Sequence, residues 1–311
     1  MPLEQSPAIM RRWVRSQLRS RREAVDLDQK DAATALGSAP SRVSHLESGR
    51  NLPDLPSLKV LFSLYKCPGD VDSFWDTIKK IKAAEKASGK DRVQLASDKD
   101  PSDFDVFVTL EDGAAEKHSA DLIVLNGLAQ VAGYIEPLLR FYDPTATEDE
   151  IRQRCELRLQ RQNSVTRTHQ PLALLMFAPE HLLIERIGGV GGPEVMRRQL
   201  EHLLELMTLP HVDFRVLSHE ARARQATASA EQPAAKQDGG HRAVHGPFEI
   251  LKFGISEDPG CVYIDTAPKG IFYEKVAEIT QYEGIIGRLD AVASPKAESR
   301  VLIERHRKDL M

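Results

Sequence analysis

The sequence predicts an α+β protein: an all-α head of five helices followed by a mixed α/β domain. Three observations lead there. Residues 27–50, LDQKDAATALGSAPSRVSHLESGR, spell two short helices around a tight turn. Two apolar stripes of helical period follow, Leu55, Leu58, Leu61, Phe62 and Leu64, then Phe74, Trp75, Ile78 and Ile81. Farther along, short β-like runs at 172–177, 212–217, 248–253 and 261–265 interrupt the helical pattern.

Taken in order, Ile9, Trp13 and Leu18 indicate a first helix, with six arginines and no acid between Arg11 and Arg22. Such a run suits a solvated helix face, and beside a helix-turn-helix it also suits phosphate binding. Asp28 caps the second helix, acidic Asp31 follows three positions later, and Gly37 closes it in a left-handed conformation. Ala32, Ala33 and Leu36 form its inner face, and small Ala39 joins Ala32 and Ala33 in allowing close approach of the next helix. That third helix is expected to open at Ser38, whose hydroxyl caps the amide of Ser41, with Pro40 in the first turn where a missing N–H costs nothing. Val43 and Leu46 face inward. Pro40, Ser41, Ser44 and His45 are left pointing outward, the edge that a helix in the major groove presents to base pairs.

The run resembles the XRE family of phage-repressor-like DNA-binding regulators through Gln29, Ala32, Gly37, Ser44, Glu47, Gly49 and Arg50. The resemblance implies base contacts from Pro40, Ser41 and His45, and phosphate contacts from Gln29, Arg50 and Asn51; Ser44, on the same outward edge, is expected to join the base contacts and Arg42 the phosphate contacts. It also implies a structural pair between Arg22 and Glu47, because a buried carboxylate without its cation is costly. Pro40 departs from the common pattern: it cannot donate a hydrogen bond, so it is expected to read shape or a thymine methyl.

Charge divides the chain. Residues 1–92 carry 17 Lys and Arg against 12 Asp and Glu, whereas the remaining residues carry 25 against 34. A basic head suits a polyanionic partner, and an acidic body discourages unspecific wrapping of DNA. At 311 residues two domains are expected, a head over 1–92 and a body over 103–311, separated near residues 83–102, AAEKASGKDRVQLASDKDPS, a polar stretch with few large apolar residues. With no apolar span of 18 residues and no signal peptide core, a cytoplasmic protein that does not engage a membrane is expected. Cys67, Cys155 and Cys261 are odd in number and far apart, so they are read as small buried apolar residues.

In the body, residues 105–110 suit a short strand or a helix-to-strand entry, and 116–139 and 147–162 read as helices. A strand is expected at 172–177. Residues 193–207 form an amphipathic helix burying Met196, Leu200, Leu203, Leu204 and Met207. Three strands follow at 212–217, 248–253 and 261–265, then helices at 277–293 and 295–309.

A second set of residues runs along this body: Gly127, Leu128, Gln130 and Tyr134; Arg158, Leu159, Arg161 and Gln162; Glu180, Leu182 and Gly188; Val195, Met196, Gln199 and Leu200; FEILKF from Phe248; and Ala293, Ser294, Pro295, Glu298 and Ser299. Together they resemble the C-terminal domain of a large actinobacterial group of XRE regulators, the Scr1-type family. That resemblance implies an antitoxin-like regulator whose gene neighbours one for a small partner protein. Asn126, Ala129 and the length of segment 220–246 depart from the pattern.

Segment 220–246 is polar and reads as a loop, and 188–192 as an inter-helix turn lacking the order of a phosphate cradle. His219, His241 and His245 lack an accompanying carboxylate or thiolate pattern, so no metal and no cofactor are expected. Glu180, His181 and Glu185 form no catalytic motif, and the chain is read as no enzyme. Arg154, Arg158 and Arg161 lie about a turn apart, as a solvated face or as a site for a partner's acidic surface. The expectation is a regulator that binds double-stranded DNA and dimerises through its body. That body either binds a small partner protein or, in the alternative, senses a small molecule.

Overall fold

The computed structural model describes residues 7–91, 102–185, 187, 192–218, 246–266 and 269–310. The chain divides into two compact units, one of Met1–Gly113 with Phe253–Pro259, the other of Ala114–Lys252 with Gly260–Met311.

The first unit is helical: α1 (Pro7–Glu23), α2 (Gln29–Ala35), α3 (Pro40–Glu47), α4 (Leu55–Leu64), α5 (Val71–Asp91) and α6 (Asp103–Asp112). Its core takes Val14 and Leu18 from α1, Ala32 and Ala33 from α2, Val43 and Leu46 from α3, and Leu58, Leu61 and Phe62 from α4. From α5, Phe74 stacks edge-on against Phe62 and tilted against Trp13, both at 4.9 Å between centroids. These are the residues whose helical spacing marks the five-helix head.

The unit does not end at the polar stretch. Residues 105–110 carry the aromatic and β-branched composition of a strand, yet they lie inside α6. A capping box decides this, with the Ser102 hydroxyl accepting from the Asp105 amide and the Asp105 carboxylate accepting from the Ser102 amide. Phe107 and Leu110, three apart, are then buried together. Gly113 ends α6 against Ile9, whose Cγ1 would lie 2.1 Å from any added Cβ.

The second unit carries a six-stranded sheet ordered β3-β2-β1-β4-β5-β6: β1 (Glu116–Ala120), β2 (Ala173–Pro179), β3 (Val212–Leu217), β4 (Phe248–Lys252), β5 (Cys261–Ile264) and β6 (Ile271–Tyr273). β1, β2 and β3 are parallel; β4, β5 and β6 add antiparallel pairs. Around it stand α7 (Ala132–Tyr142), α8 (Glu148–Arg161), α9 (Asn163–Thr166), α10 (Gly192–Leu206), α11 (Val276–Val292) and α12 (Lys296–Lys308). Ile279, Ile286 and Leu289 of α11 pack on Phe177, Ile250 and Val262 of the sheet. Gly260 opens β5 at φ 92°, where a Cβ would meet the Leu251 carbonyl at 2.3 Å.

The helix expected at 116–139 is corrected to β1, a 3-10 turn at Gly127–Ala129 and α7. A strand's alternation is hidden there because the inward residues of β1 are polar: Lys117 and Ser119 are fully buried, and the lysine faces Glu249 of β4, 3.0 Å away. β6 is three residues long, too short to give a periodic signal. The expectations for 219–245 and 188–191, including His219, His241 and His245, fall outside the described residues. Among the described residues no helix is long and apolar enough to cross a membrane, and no cluster of His, Cys, Asp and Glu is arranged to hold a metal. Cys155 and Cys261 are buried, and Cys67 is half-buried.

Candidate nucleic-acid interface

The site is built on the turn between α2 and α3. Asp28 caps α2 by accepting from the Lys30 and Asp31 amides, and Asp31 returns the bond to the Asp28 amide. At the other end Gly37 takes φ 59°, and the Gly37 and Ser38 amides donate to the Thr34 and Ala33 carbonyls. Ala39, not Ser38, is the N-cap of α3, and it is exposed rather than part of the helix contact. Pro40 occupies the first turn. The expected Ser38 cap does not form: its hydroxyl oxygen is buried with no hydrogen-bond partner. Proline's fixed φ starts the helix one residue later than a serine cap would.

Val43 and Leu46 bury one face of α3. At 3.6 residues per turn, Pro40, Ser44, Ser41 and His45 fall on the opposite arc, about 140° wide. Pro40, Ser41 and Ser44 are exposed and His45 is half-buried. The structure therefore gathers the four residues expected to contact bases on one accessible edge.

Behind that edge the helix is fixed by a buried ion pair. Arg22 Nε and Nη2 donate to the two carboxylate oxygens of Glu47 at 2.6 and 3.0 Å, and Arg22 Nη1 donates to the Leu27 carbonyl at 2.6 Å. Gln29 Nε2 adds a bond to Glu47 at 2.8 Å. The hydrogen bond to Glu47 raises the Arg22 pKa against the opposing effect of burial. Gln29, assigned to phosphate by resemblance, thus has one amide hydrogen committed to the pair. Arg42 points toward α4, where Nη2 donates to Ser57 Oγ at 2.8 Å and stands 3.6 Å from Asp54.

After α3 the chain turns through Gly49 at φ 75°. The Asn51 amide donates to the His45 carbonyl, and Arg50 Nη1 lies 3.2 Å from His45 Nε2. Arg50 and Asn51 are exposed and, with Arg11, Arg42 and Lys82, line a concavity of about 420 Å³ beside the reading edge. Asp54 and Glu85 moderate its positive charge. The α1 arginine run is largely paired rather than a free phosphate comb, and of the run Arg19 stays on the solvated surface. Arg11 pairs with Glu85 at 2.5 Å, Arg19 with Glu23 at 2.8 Å, Arg21 with Asp70 at 3.0 Å, and Arg12 with Asp258 at 2.7 Å.

The polar residues noted along the body have structural partners of their own. Gln199 accepts from the Val131 amide and donates to the Ala129 carbonyl; Gln162 donates to the carbonyls of Gln130 and Gly127; Gln130 donates to the Leu125 carbonyl. They hold the irregular segment between β1 and α7. Ser299 Oγ accepts from the Val216 amide and donates to the Ser294 carbonyl. Glu180 bonds His306 at 2.9 Å and Arg305 at 3.2 Å. Arg154 pairs with Asp143, whereas Arg158 meets Gln130 Oε1 at 3.5 Å. Burial, then the like charge of Arg161, lowers the Arg158 pKa.

Comparison with known families places these two units. A model described as a domain of unknown function (DUF5753) matches residues 104–231 and 234–305, well over half of the chain. The chain belongs to the DUF5753 family. A helix-turn-helix domain model matches residues 13–74, which span the turn, the reading edge and the Arg22–Glu47 pair. No curated protein and no solved structure matches the chain. This DUF5753 chain is a DNA-binding regulator with an XRE-like helix-turn-helix head.

Proposed function

We propose that the regulator is a sequence-specific transcription factor acting in the cytoplasm. In this reading two copies pair through the DUF5753 body, which binds a small partner protein in an antitoxin-like arrangement. The observation that carries the DNA reading is the edge of Pro40, Ser41, Ser44 and His45, accessible while the residues behind it are locked by Arg22 and Glu47. One such edge covers a half-site, and helix-turn-helix proteins gain affinity and length of site by presenting two. Support for association comes from the second unit, where Phe141 and Tyr142 at the end of α7 are 76% and 65% exposed. Large exposed aromatics of this kind characterise interaction surfaces.

A second reading, sensing of a small molecule by the body, is favoured by the cluster of buried Lys117, Asp121 and Asn126 with half-buried Glu249, of which Asp121 directly follows the carboxyl end of β1. Open α/β sheets take ligands at such strand ends.

Capture of genomic DNA fragments by the full-length protein, followed by sequencing and by sedimentation with a captured duplex, tests the proposal. An enriched motif with two-fold symmetry and two chains per duplex is expected. Fragments without a common motif would sink sequence-specific reading, and one chain per duplex would sink pairing.

A further inference from the structure

Segment Phe253–Pro259 joins β4 to β5 along the chain, yet it packs within the first compact unit, against α1. Its grip falls on two residues one helical turn apart. Arg12 Nε and Nη2 donate to the two oxygens of Asp258 at 3.0 and 2.7 Å, with both side chains almost wholly buried. The same guanidinium lies 4.2 Å from the centroid of the Phe253 ring, and Ser16 Oγ donates to the Ser256 carbonyl at 2.9 Å. Within the segment Gly254 and Glu257 take φ of 61° and 68°. A glutamate in the left-handed region is held there only by surroundings that over-determine it.

Three other arginines of α1, Arg11, Arg15 and Arg22, hold the end of α3. Arg11 and Arg15 donate to the carbonyls of Gly49 and Ser48 at 3.3 and 3.4 Å, and Arg22 holds Glu47. One helix is thus gripped at Arg12 and Ser16 by residues 253–259 and itself grips the C-terminal end of the reading helix. Such a chain of packed and hydrogen-bonded groups is a physical route for coupling.

We propose that Asp258 and Ser16 are positioning residues for DNA reading. Through them segment 253–259 sets α1, and through α1 the angle at which α3 offers Ser41 and His45 to base edges. The inference rests on the DNA-reading assignment, and its consequence is that a segment of the DUF5753 sequence sets how well the head reads DNA.

The test compares full-length wild type, Asp258→Asn and Ser16→Ala on a captured site and on a scrambled duplex, by fluorescence anisotropy. The temperature is one at which tryptophan fluorescence reports all three as folded. Asp258→Asn should weaken operator binding about 3- to 30-fold and Ser16→Ala about 2- to 5-fold, with scrambled-duplex binding unchanged within about twofold. Wild-type affinity in both folded variants would overturn the inference, as would equal losses on the two duplexes, which would mark a general loss of phosphate contact. A wild type that prefers no site would remove the DNA assignment and this inference together, and that result appears before any variant is compared. Should Asp258→Asn not fold, Ser16→Ala decides by the same criteria.

Discussion

In the first compact unit the buried charge is a planar guanidinium closed on several sides: Arg22 forks onto Glu47, reaches the Leu27 carbonyl, and Gln29 completes the carboxylate. In the second unit Lys117 and Ser119 lie on one face of β1 and Asp121 directly follows its end, with Glu249 of β4 beside them and Asn126 bridging both carboxylates. Burial outweighs those hydrogen bonds and pushes Asp121 up to about 7. In the head the hydrogen bond to Glu47 raises the Arg22 pKa, so the guanidinium keeps its charge and the pair serves as a fixed strut for α3. The body's cluster holds a carboxylate that changes charge near neutrality.

The largest effect that would break this contrast comes from Glu47→Ala. It strands the Arg22 guanidinium and one Gln29 donor behind α3, at about 3–5 kcal/mol. Both tryptophans, Trp13 and Trp75, lie in the head, so denaturant unfolding followed by intrinsic fluorescence isolates that unit. An unmoved fluorescence transition would mean that Arg22 and Glu47 do not brace the head.

Asp121→Asn probes the other side of the contrast. The folded pKa lies above the ordinary 3.8, so the folded state holds a proton that the unfolded chain has released. The resulting contribution is present at low pH and lost as pH rises through about 7. Asparagine mimics the protonated carboxyl without titrating. Relative to wild type, the variant should therefore gain about 2 kcal/mol between pH 5.5 and 8, measured by circular dichroism of unfolding. A pH-independent difference would show that Asp121 does not titrate in that window.

Within the head, the same contrast separates braced residues from those free to read. Ser41→Ala and His45→Ala remove side chains from the accessible edge, so each should cost about 1–3 kcal/mol of operator affinity while leaving the melting temperature in place. A loss of stability with unchanged affinity would reassign that edge to folding.

Much of the head was legible because its signals are local. Asp28 with Asp31, Gly37, and the apolar spacing from Val43 to Ile81 each lie within a helix length of the structure they determine. The outward placement of Pro40, Ser41, Ser44 and His45 followed from that spacing alone. The roles of Arg12, Gln29 and Arg42 did not, because their partners Asp258, Glu47 and Ser57 are remote in sequence or lie on another element. In the body, β2 and β3 were visible as apolar or alternating runs. β1 was not, since Lys117 reads as surface until Glu249 is brought beside it. The resemblance along the body marked Gln130, Gln162 and Gln199 without their role, and their backbone contacts show them clamping the turn before α7.

The smallest effect separates Gln29 from Arg50, two residues assigned alike to phosphate. Arg50 is exposed, and its side-chain partner is the His45 ring rather than a carboxylate. Gln29 is half-buried and bonded to Glu47 at 2.8 Å. Arg50→Ala should therefore leave the head's fluorescence transition unmoved and flatten the dependence of log affinity on log salt by about 0.9, the release of one counterion. Gln29→Ala should lower head stability by about 1–2 kcal/mol through the lost bond to a charged acceptor, with the salt slope nearly unchanged because no cation is removed. Salt titrations of both variants on one operator, paired with their unfolding curves, check this. A flattened slope for Gln29→Ala without destabilisation would detach Gln29 from the strut, and an unaltered slope for Arg50→Ala would remove Arg50 from the phosphate contacts.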